Sequence, residues 1–261
     1  HGRYALVRNA ICITYSFYKN ALMSLPQFYY AFYTGFSGMT LYNGWLLSFF
    51  NVIFTFLPPL FAGIFEKDVD EKILVRDPSL FPELGKGKYF DVPTLSRWFI
   101  EAIGHSLVLF WITFPYNQNL DEKEKVVDGQ MYGTMLMTCM VVLALANMAV
   151  RLRYWTWVTA VGLLISFFIY FVFILAYSAF DILFSDSTFA RQAYMLMAGP
   201  KYWLYTMLFV AGLMIPMDMA WTFFAKHIQP SEIEKAEAAY AESRSVGGII
   251  EVMPGDTAPN Q

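Results

Sequence analysis

Charge is scarce in this sequence. Only 15% of its 261 residues are Asp, Glu, Lys or Arg, against roughly 25% in an average soluble domain. Cysteine is nearly absent too, and the two present, Cys12 and Cys139, lie in apolar stretches where a thiol acts as a small buried hydrophobe. A disulfide-stapled secreted fold is thereby excluded. Polar low-complexity sequence is missing, so disorder is excluded, and the 16 glycines are too few for a collagen repeat. The net charge of −3 comes with no basic tract that would mark a nucleic-acid partner. No basic–apolar–small-residue leader follows His1, and the expectation is that the chain is a piece of something longer.

What fills the sequence is apolar. Hydrophobic residues make up 57%, and residues 21–65, 129–150 and 154–180 contain no charge at all. A spanning helix needs about 20 mostly apolar residues, so the chain reads as an all-α, polytopic membrane protein. Six transmembrane helices are expected at about 9–34, 41–65, 98–116, 130–150, 154–179 and 202–225. They make a membrane domain over 1–229, followed by a tail over 230–261. The segment GFSGMTLYN at 35–43 can be only a tight turn, so the first two spans form a hairpin. The polar 66–96 connection carries Pro78, Pro82 and Pro93 and reads as a surface loop. Its GKGK run at 85–88 lacks the glycine spacing and terminal Ser/Thr of a phosphate loop.

Basic residues are distributed unequally between the two sides implied by this division. Thirteen, among them Arg3, Arg8, Lys67, Arg97, Arg151, Arg153 and Lys226, fall on the side of the termini. Four, Lys123, Lys125, Arg191 and Lys201, fall on the other. Positive residues favour the cytoplasm, which places both termini there. Aromatic residues, 19% of the chain, gather near the ends of the spans, as an interfacial belt does. In the tail, Ser231 and Glu234 form a capping box for a solvated helix.

Ionisable residues inside a span are the best internal sign of function, because each costs roughly 2.5–3.5 kcal/mol at a helix centre. Lys19, the eighteenth basic residue, sits with Asn20 well inside the first span. Snorkelling to the headgroups is the alternative use of its long stem. In the second span, Pro58 and Pro59 cannot donate hydrogen bonds, freeing the carbonyls of Phe54 and Thr55. Broken backbone at membrane depth belongs beside a polar cavity or packed protein, and Asn51 and Thr55 share a face with the break. Glu101 and His105 in the third span are four apart, a spacing that permits a bond between them. Asp218 reads as an interfacial or inter-helix anchor.

The motifs HGRY at 1–4, FYKN at 17–20, GFSG at 35–38, YNGW at 42–45 and FNVIFTFLPPL at 50–60 resemble the lipid-flippase branch of the P-type ATPases. EKDV at 66–69 is similar to that family's Asp-Gln-Asp-Val, with its first two positions changed. The agreement is strong over 1–70 and more diffuse beyond it. The resemblance implies that the six spans are the family's fifth to tenth, within a pump that moves phospholipid from the outer to the cytoplasmic leaflet by way of an aspartyl-phosphate. It implies a lipid path using Lys19 and Asn20, with Asn51, Thr55, Phe54 and Pro58 from the next span. The chain holds no Asp-Lys-Thr-Gly motif and no nucleotide domain. No cofactor is therefore expected in it, and ATP and Mg are expected in the rest of the ATPase. Other implied partners are the phospholipid and a two-span accessory subunit, in a eukaryotic plasma membrane or endomembrane. Two other classes stay open. One is a non-pumping scaffold or sensor fused to another enzyme, as in some protist guanylate cyclases. The other is an unrelated membrane subunit of a large complex.

The charge asymmetry makes a direct prediction. A cysteine introduced at Lys123 should react with an impermeant maleimide only from the non-cytoplasmic side, and labelling from the cytoplasm would overturn the topology.

Overall fold

The computed structural model describes residues 2–69, 71–76, 90–118 and 129–183, together with Gly199, Trp203, Pro216, Asp218, Met219, Ala220, Phe223, Lys235, Ala238, Tyr240 and Glu242. Among these residues all regular structure is helical. Three stretches, Gly44–Phe65, Met131–Arg151 and Trp157–Tyr177, are long and apolar enough to cross a membrane. The expected sixth span at 202–225, the GKGK run and the Ser231–Glu234 capping box lie largely or wholly outside the described residues.

Helix α1 runs over Gly2–Tyr33, 32 residues, or about 48 Å at 1.5 Å per residue. It starts ahead of the expected span because its first two turns are polar and hold Arg3 and Arg8. Val7, Ala10, Thr14, Tyr18, Leu22 and Pro26 are buried on it, a stripe at three- and four-residue spacing. Between 34 and 43 the chain reverses. Gly35 and Gly38 take φ of 61° and 76°, the left-handed region open to glycine at little cost. Gln27 of α1 holds the turn down, accepting from the Leu41 N–H at 2.8 Å and donating to the Met39 carbonyl at 3.2 Å. Asn43 then caps the next helix by accepting from the Trp45 N–H.

The second span is broken beside the carbonyls that the prolines leave without a donor. Helix α2, Gly44–Phe49, passes into a π-helical turn over Phe50–Phe54, the chain unwinds at Thr55 and Phe56, and α3 restarts over Leu57–Phe65. Pro58 and Pro59 occupy the first turn of α3, where a missing N–H is no loss. They begin a helix rather than kink one. Beyond come α4, Glu71–Arg76, and three long helices: α5 over Val92–Gln118, α6 over Gly129–Arg151 and α7 over Trp157–Leu183. Helix α7 begins three residues after the expected 154 because Thr156 and Thr159 exchange hydroxyl–backbone bonds and form its cap.

Helix α6 is the hub: 78% of its spanning window is buried, against 28% for α7. Tyrosine hydroxyls stitch the others to it. Tyr15 of α1 donates to the Ala144 carbonyl at 3.0 Å, and Tyr170 of α7 meets Thr138 at 2.7 Å. Such bonds between helices do in lipid what apolar burial cannot. Close approach needs small residues. A Cβ on Gly133 would lie 1.7 Å from the Leu41 carbonyl oxygen, and one on Gly162 would lie 2.2 Å from the Phe61 ring.

These two contacts predict unequal costs. Gly133→Ala should lower the thermal midpoint of the detergent-solubilised protein more than Gly162→Ala, because a ring can rotate away and a backbone carbonyl cannot. Overpacking of this kind costs about 1–3 kcal/mol, and equal midpoints for the two variants would contradict the packing.

Candidate functional site

Lys19 and Thr55 meet at the break in the second span. Lys19 is 6% exposed, and its Nζ donates to Thr55 Oγ1 at 3.1 Å and to the Thr55 carbonyl at 3.4 Å. That carbonyl is one of the two freed by the proline pair, since Pro59 has no N–H to offer it. Thr55 also turns inward: its Oγ1 donates to the Phe50 carbonyl at 2.6 Å, which its N–H reaches at 3.1 Å. Lys19 therefore serves as the hydrogen-bond donor that the interrupted helix lacks. Its depth on α1 matches Thr55 rather than Asn51, because Thr55 lies a further turn from the 34–43 reversal.

The remaining candidates are distributed around this contact. Asn51 is half-buried, and its Oδ1 is sealed from solvent without a hydrogen-bond partner. Phe54 is fully buried, edge-on to Tyr170 at 5.0 Å and tilted against Phe173 at 5.3 Å. Pro58 is buried as the base of α3. Asn20 is exposed on another face of α1, so it does not join Lys19 at the break. Nearby, Cys12 donates its thiol to the Pro59 carbonyl at 3.0 Å, and Gly63 gives it room.

A second polar group lies within the helices, and the sequence reading assembled only part of it. Glu101 and His105 bind different partners rather than each other. His105 Nδ1 meets the Tyr18 hydroxyl at 2.7 Å, and its Nε2 meets Asp218 Oδ1 at 2.9 Å. Asn147 Nδ2 donates to Glu101 at 2.9 Å and to Asp218 at 3.1 Å. Arg151 pairs with Glu101, donates to Asn147 Oδ1 at 2.9 Å, and lies 3.9 Å over the Trp98 ring. One-turn spacing allowed the Glu101–His105 bond, but donors from α1 and α6 compete for both groups and satisfy them better. Asp218 does act as an inter-helix anchor. Tyr18, Asn147 and Arg151 escaped the sequence reading. Their only signal was a lone amide in an apolar span with an arginine one turn on.

Carboxylates at the N-terminal end of α1 are held by backbone and guanidinium. Arg3 grips Asp68 Oδ2 through Nε at 3.0 Å and Nη2 at 2.9 Å, and Arg8 donates to the Glu66 carbonyl at 2.6 Å. Glu66 Oε1 accepts from the backbone N–H of Arg153 at 2.9 Å and of Tyr154 at 3.4 Å, which pins the α6–α7 turn. Glu66 Oε2 is buried with no hydrogen-bond partner. Burial pushes the Glu66 carboxyl above its ordinary range, and the two N–H bonds offset only part of this.

The family described as phospholipid-translocating P-type ATPase, C-terminal, matches residues 1–231. The chain is 30% identical over 232 residues to probable phospholipid-transporting ATPase 5 of Arabidopsis thaliana, covering 88% of this chain and 19% of that protein. It is 32% identical over 244 residues to phospholipid-transporting ATPase IC of Xenopus tropicalis, covering 91% and 19%. With phospholipid-transporting ATPase DRS2 of Saccharomyces cerevisiae it shares 27% over 237 residues, covering 88% and 17%. The chain thus spans about a fifth of the length of the curated relatives it matches.

The state of Glu66 can be tested by linkage. A carboxyl whose folded value is raised above 4.5 loses nothing below that pH, then destabilises the fold progressively as the pH rises toward the folded value. Glu66→Gln keeps the carbonyl acceptor and cannot ionise. Its thermal midpoint relative to the unsubstituted protein should rise as the pH is raised above about 4.3, where the unfolded carboxyl ionises while the folded one still holds its proton. A difference independent of pH would show that Glu66 is not perturbed.

Proposed function

The chain belongs to the phospholipid-translocating P-type ATPase family, and on that premise we propose that it forms the support half of the transport domain of an ATP-driven flippase. Its six spans, with both termini in the cytoplasm, would carry phospholipid from the outer to the cytoplasmic leaflet. The thirteen-to-four division of basic residues supports that orientation. The supporting observation for the site is the Lys19 ammonium: it is buried in a membrane domain and bonded to the neutral oxygens of Thr55, with no carboxylate beside it among the described residues. A buried cation without an anion is costly, and an incoming phosphate or carboxylate headgroup relieves that cost.

The chemistry of such a site follows from its hydrogen-bond inventory. An ammonium has three donors, and Thr55 takes two of them. The third is free to meet an anionic headgroup oxygen, and the two held by Thr55 exchange onto the lipid as it enters. Asn51 Oδ1, sealed and unpartnered, is an acceptor for a headgroup N–H or O–H. Acyl chains can stay in the hydrocarbon, so the headgroup alone needs this polar path. Phe54 and Pro58 set its shape, and Asn20 would act only where further spans of the ATPase pack on α1. ATP and Mg would bind the remainder of the ATPase. Among the described carboxylates, Asp68 and Glu101 are engaged by arginines and Glu66 by backbone N–H groups. A two-span accessory subunit is a further proposed partner.

Lys19→Gln in the complete ATPase, which keeps an N–H donor for Thr55 and removes the charge, should reduce lipid-stimulated ATP hydrolysis by more than tenfold while expression and thermal midpoint change little, since loss of one charge-assisted contact is worth about 1.5–3 kcal/mol. Unchanged lipid stimulation at normal protein levels would remove Lys19 from the lipid path and favour the non-pumping reading.

A further inference from the structure

Hydroxyls in the apolar helices of this protein turn back on their own backbone. Thr14, Ser16, Thr113 and Thr138 each donate to the carbonyl four residues earlier, at 2.7–2.9 Å. Ser166 of α7 does not. It is fully buried, and its Oγ is sealed from solvent without a hydrogen-bond partner. The carbonyl of Gly162 is the usual acceptor at that spacing, and the hydroxyl is turned away from it. Leaving a buried donor unpaired costs more than a typical hydrogen bond returns.

Neighbouring contacts fix what Ser166 faces. Gly162, one turn earlier, lies against the Phe61 ring. Tyr170, one turn later, lies edge-on to Phe54 at 5.0 Å, and Phe173 continues the series against Phe49. Helix α7 therefore runs antiparallel to the second span, with Ser166 level with Leu57 and Pro58. In an unbroken helix the carbonyls of Phe54 and Thr55 would accept from the N–H groups of residues 58 and 59. Both of those residues are proline and have none. Lys19 serves one of the two freed carbonyls, that of Thr55, from α1. Ser166 brings a spare O–H from α7 to the level of the missing N–H groups. We infer that Ser166 is the second donor of the break, a positioning residue that takes over a freed carbonyl when Lys19 leaves Thr55 for a headgroup.

The need for a second donor arises from the exchange itself. When Nζ turns to the lipid, the Thr55 carbonyl loses its donor in a medium that supplies no other. Thr55 has φ −125° and ψ 16°, outside the helical range, so the peptide that follows it is not locked in a helical ladder and can turn its oxygen. A bond from Ser166 then lowers the cost of releasing Lys19. It favours the lipid-loaded state without touching the lipid. This role rests on the flippase reading, whereas the spare hydroxyl rests on geometry alone.

The test uses the full-length ATPase carrying Ser166→Ala, with two readouts. In lipid-free detergent the thermal midpoint should be unchanged or raised, because the substitution removes a buried hydroxyl that has no bond to lose. A lowered midpoint would show that Ser166 is already paired, and would overturn the proposal. In phosphatidylcholine vesicles carrying phosphatidylserine or phosphatidylethanolamine, the lipid concentration giving half-maximal ATP hydrolysis should rise roughly two- to tenfold, the factor that one neutral hydrogen bond is worth. The maximal rate should stay the same. Stimulation that Ser166→Ala leaves unchanged, or a loss confined to the maximal rate, overturns the second bond alone. No stimulation of the unsubstituted protein by any of these lipids overturns the flippase reading, and the second bond with it.

Discussion

A helix interrupted inside hydrocarbon must have its backbone groups satisfied by protein, because lipid offers no donors. Here the interruption is at Thr55 and Phe56, and the donor is Lys19. The two features depend on each other. Without the break, a lysine at this depth of α1 would have no partner. Without the lysine, the Thr55 carbonyl would face apolar surroundings unpaired. The proline pair, placed in the first turn of α3, keeps the break from closing. The π-helical turn ahead of it directs both the hydroxyl and the N–H of Thr55 to Phe50.

Around that contact polar groups tie the helices together across a packed apolar core, because apolar burial alone gives little drive to association in a bilayer. Tyr15 and Tyr170 reach α6 from α1 and α7, and Tyr18, His105, Asp218, Asn147, Glu101 and Arg151 form a chain linking α1, α5 and α6. At the N-terminal end of α1, Arg3 and Arg8 fasten the helix to residues 66–68, which are fastened in turn to the α6–α7 turn by Glu66. Helix α1 is thus held at its end and at its middle, and Lys19 lies beside the second of these attachments.

Membrane class, helical content and the chain reversal at 34–43 were legible because each rests on local composition: charge-free runs of spanning length, and two glycines in a short turn. Lys19 and Thr55 were legible as candidates for the same reason, since a charge and a proline-freed carbonyl stand out within apolar sequence. The position of the break was only partly legible. Prolines mark where a helix cannot donate, but whether they end one helix or begin the next depends on what packs around them. Asn51 and Asn20 look alike in sequence; one has its carbonyl sealed inside and the other is exposed.

By itself, then, the sequence determined which segments are helical and apolar, which residues are expensive to bury, and to which family the chain belongs, because these depend on residue type and short-range order. The tertiary structure decided the pairings. Lys19 goes to Thr55 and not Asn51, His105 to Tyr18 and Asp218 and not Glu101, Glu66 to the backbone of Arg153 and Tyr154. Each choice is a competition among donors and acceptors brought together from distant parts of the chain. Its outcome is set by helix depth and rotation, quantities that no local pattern of residues encodes.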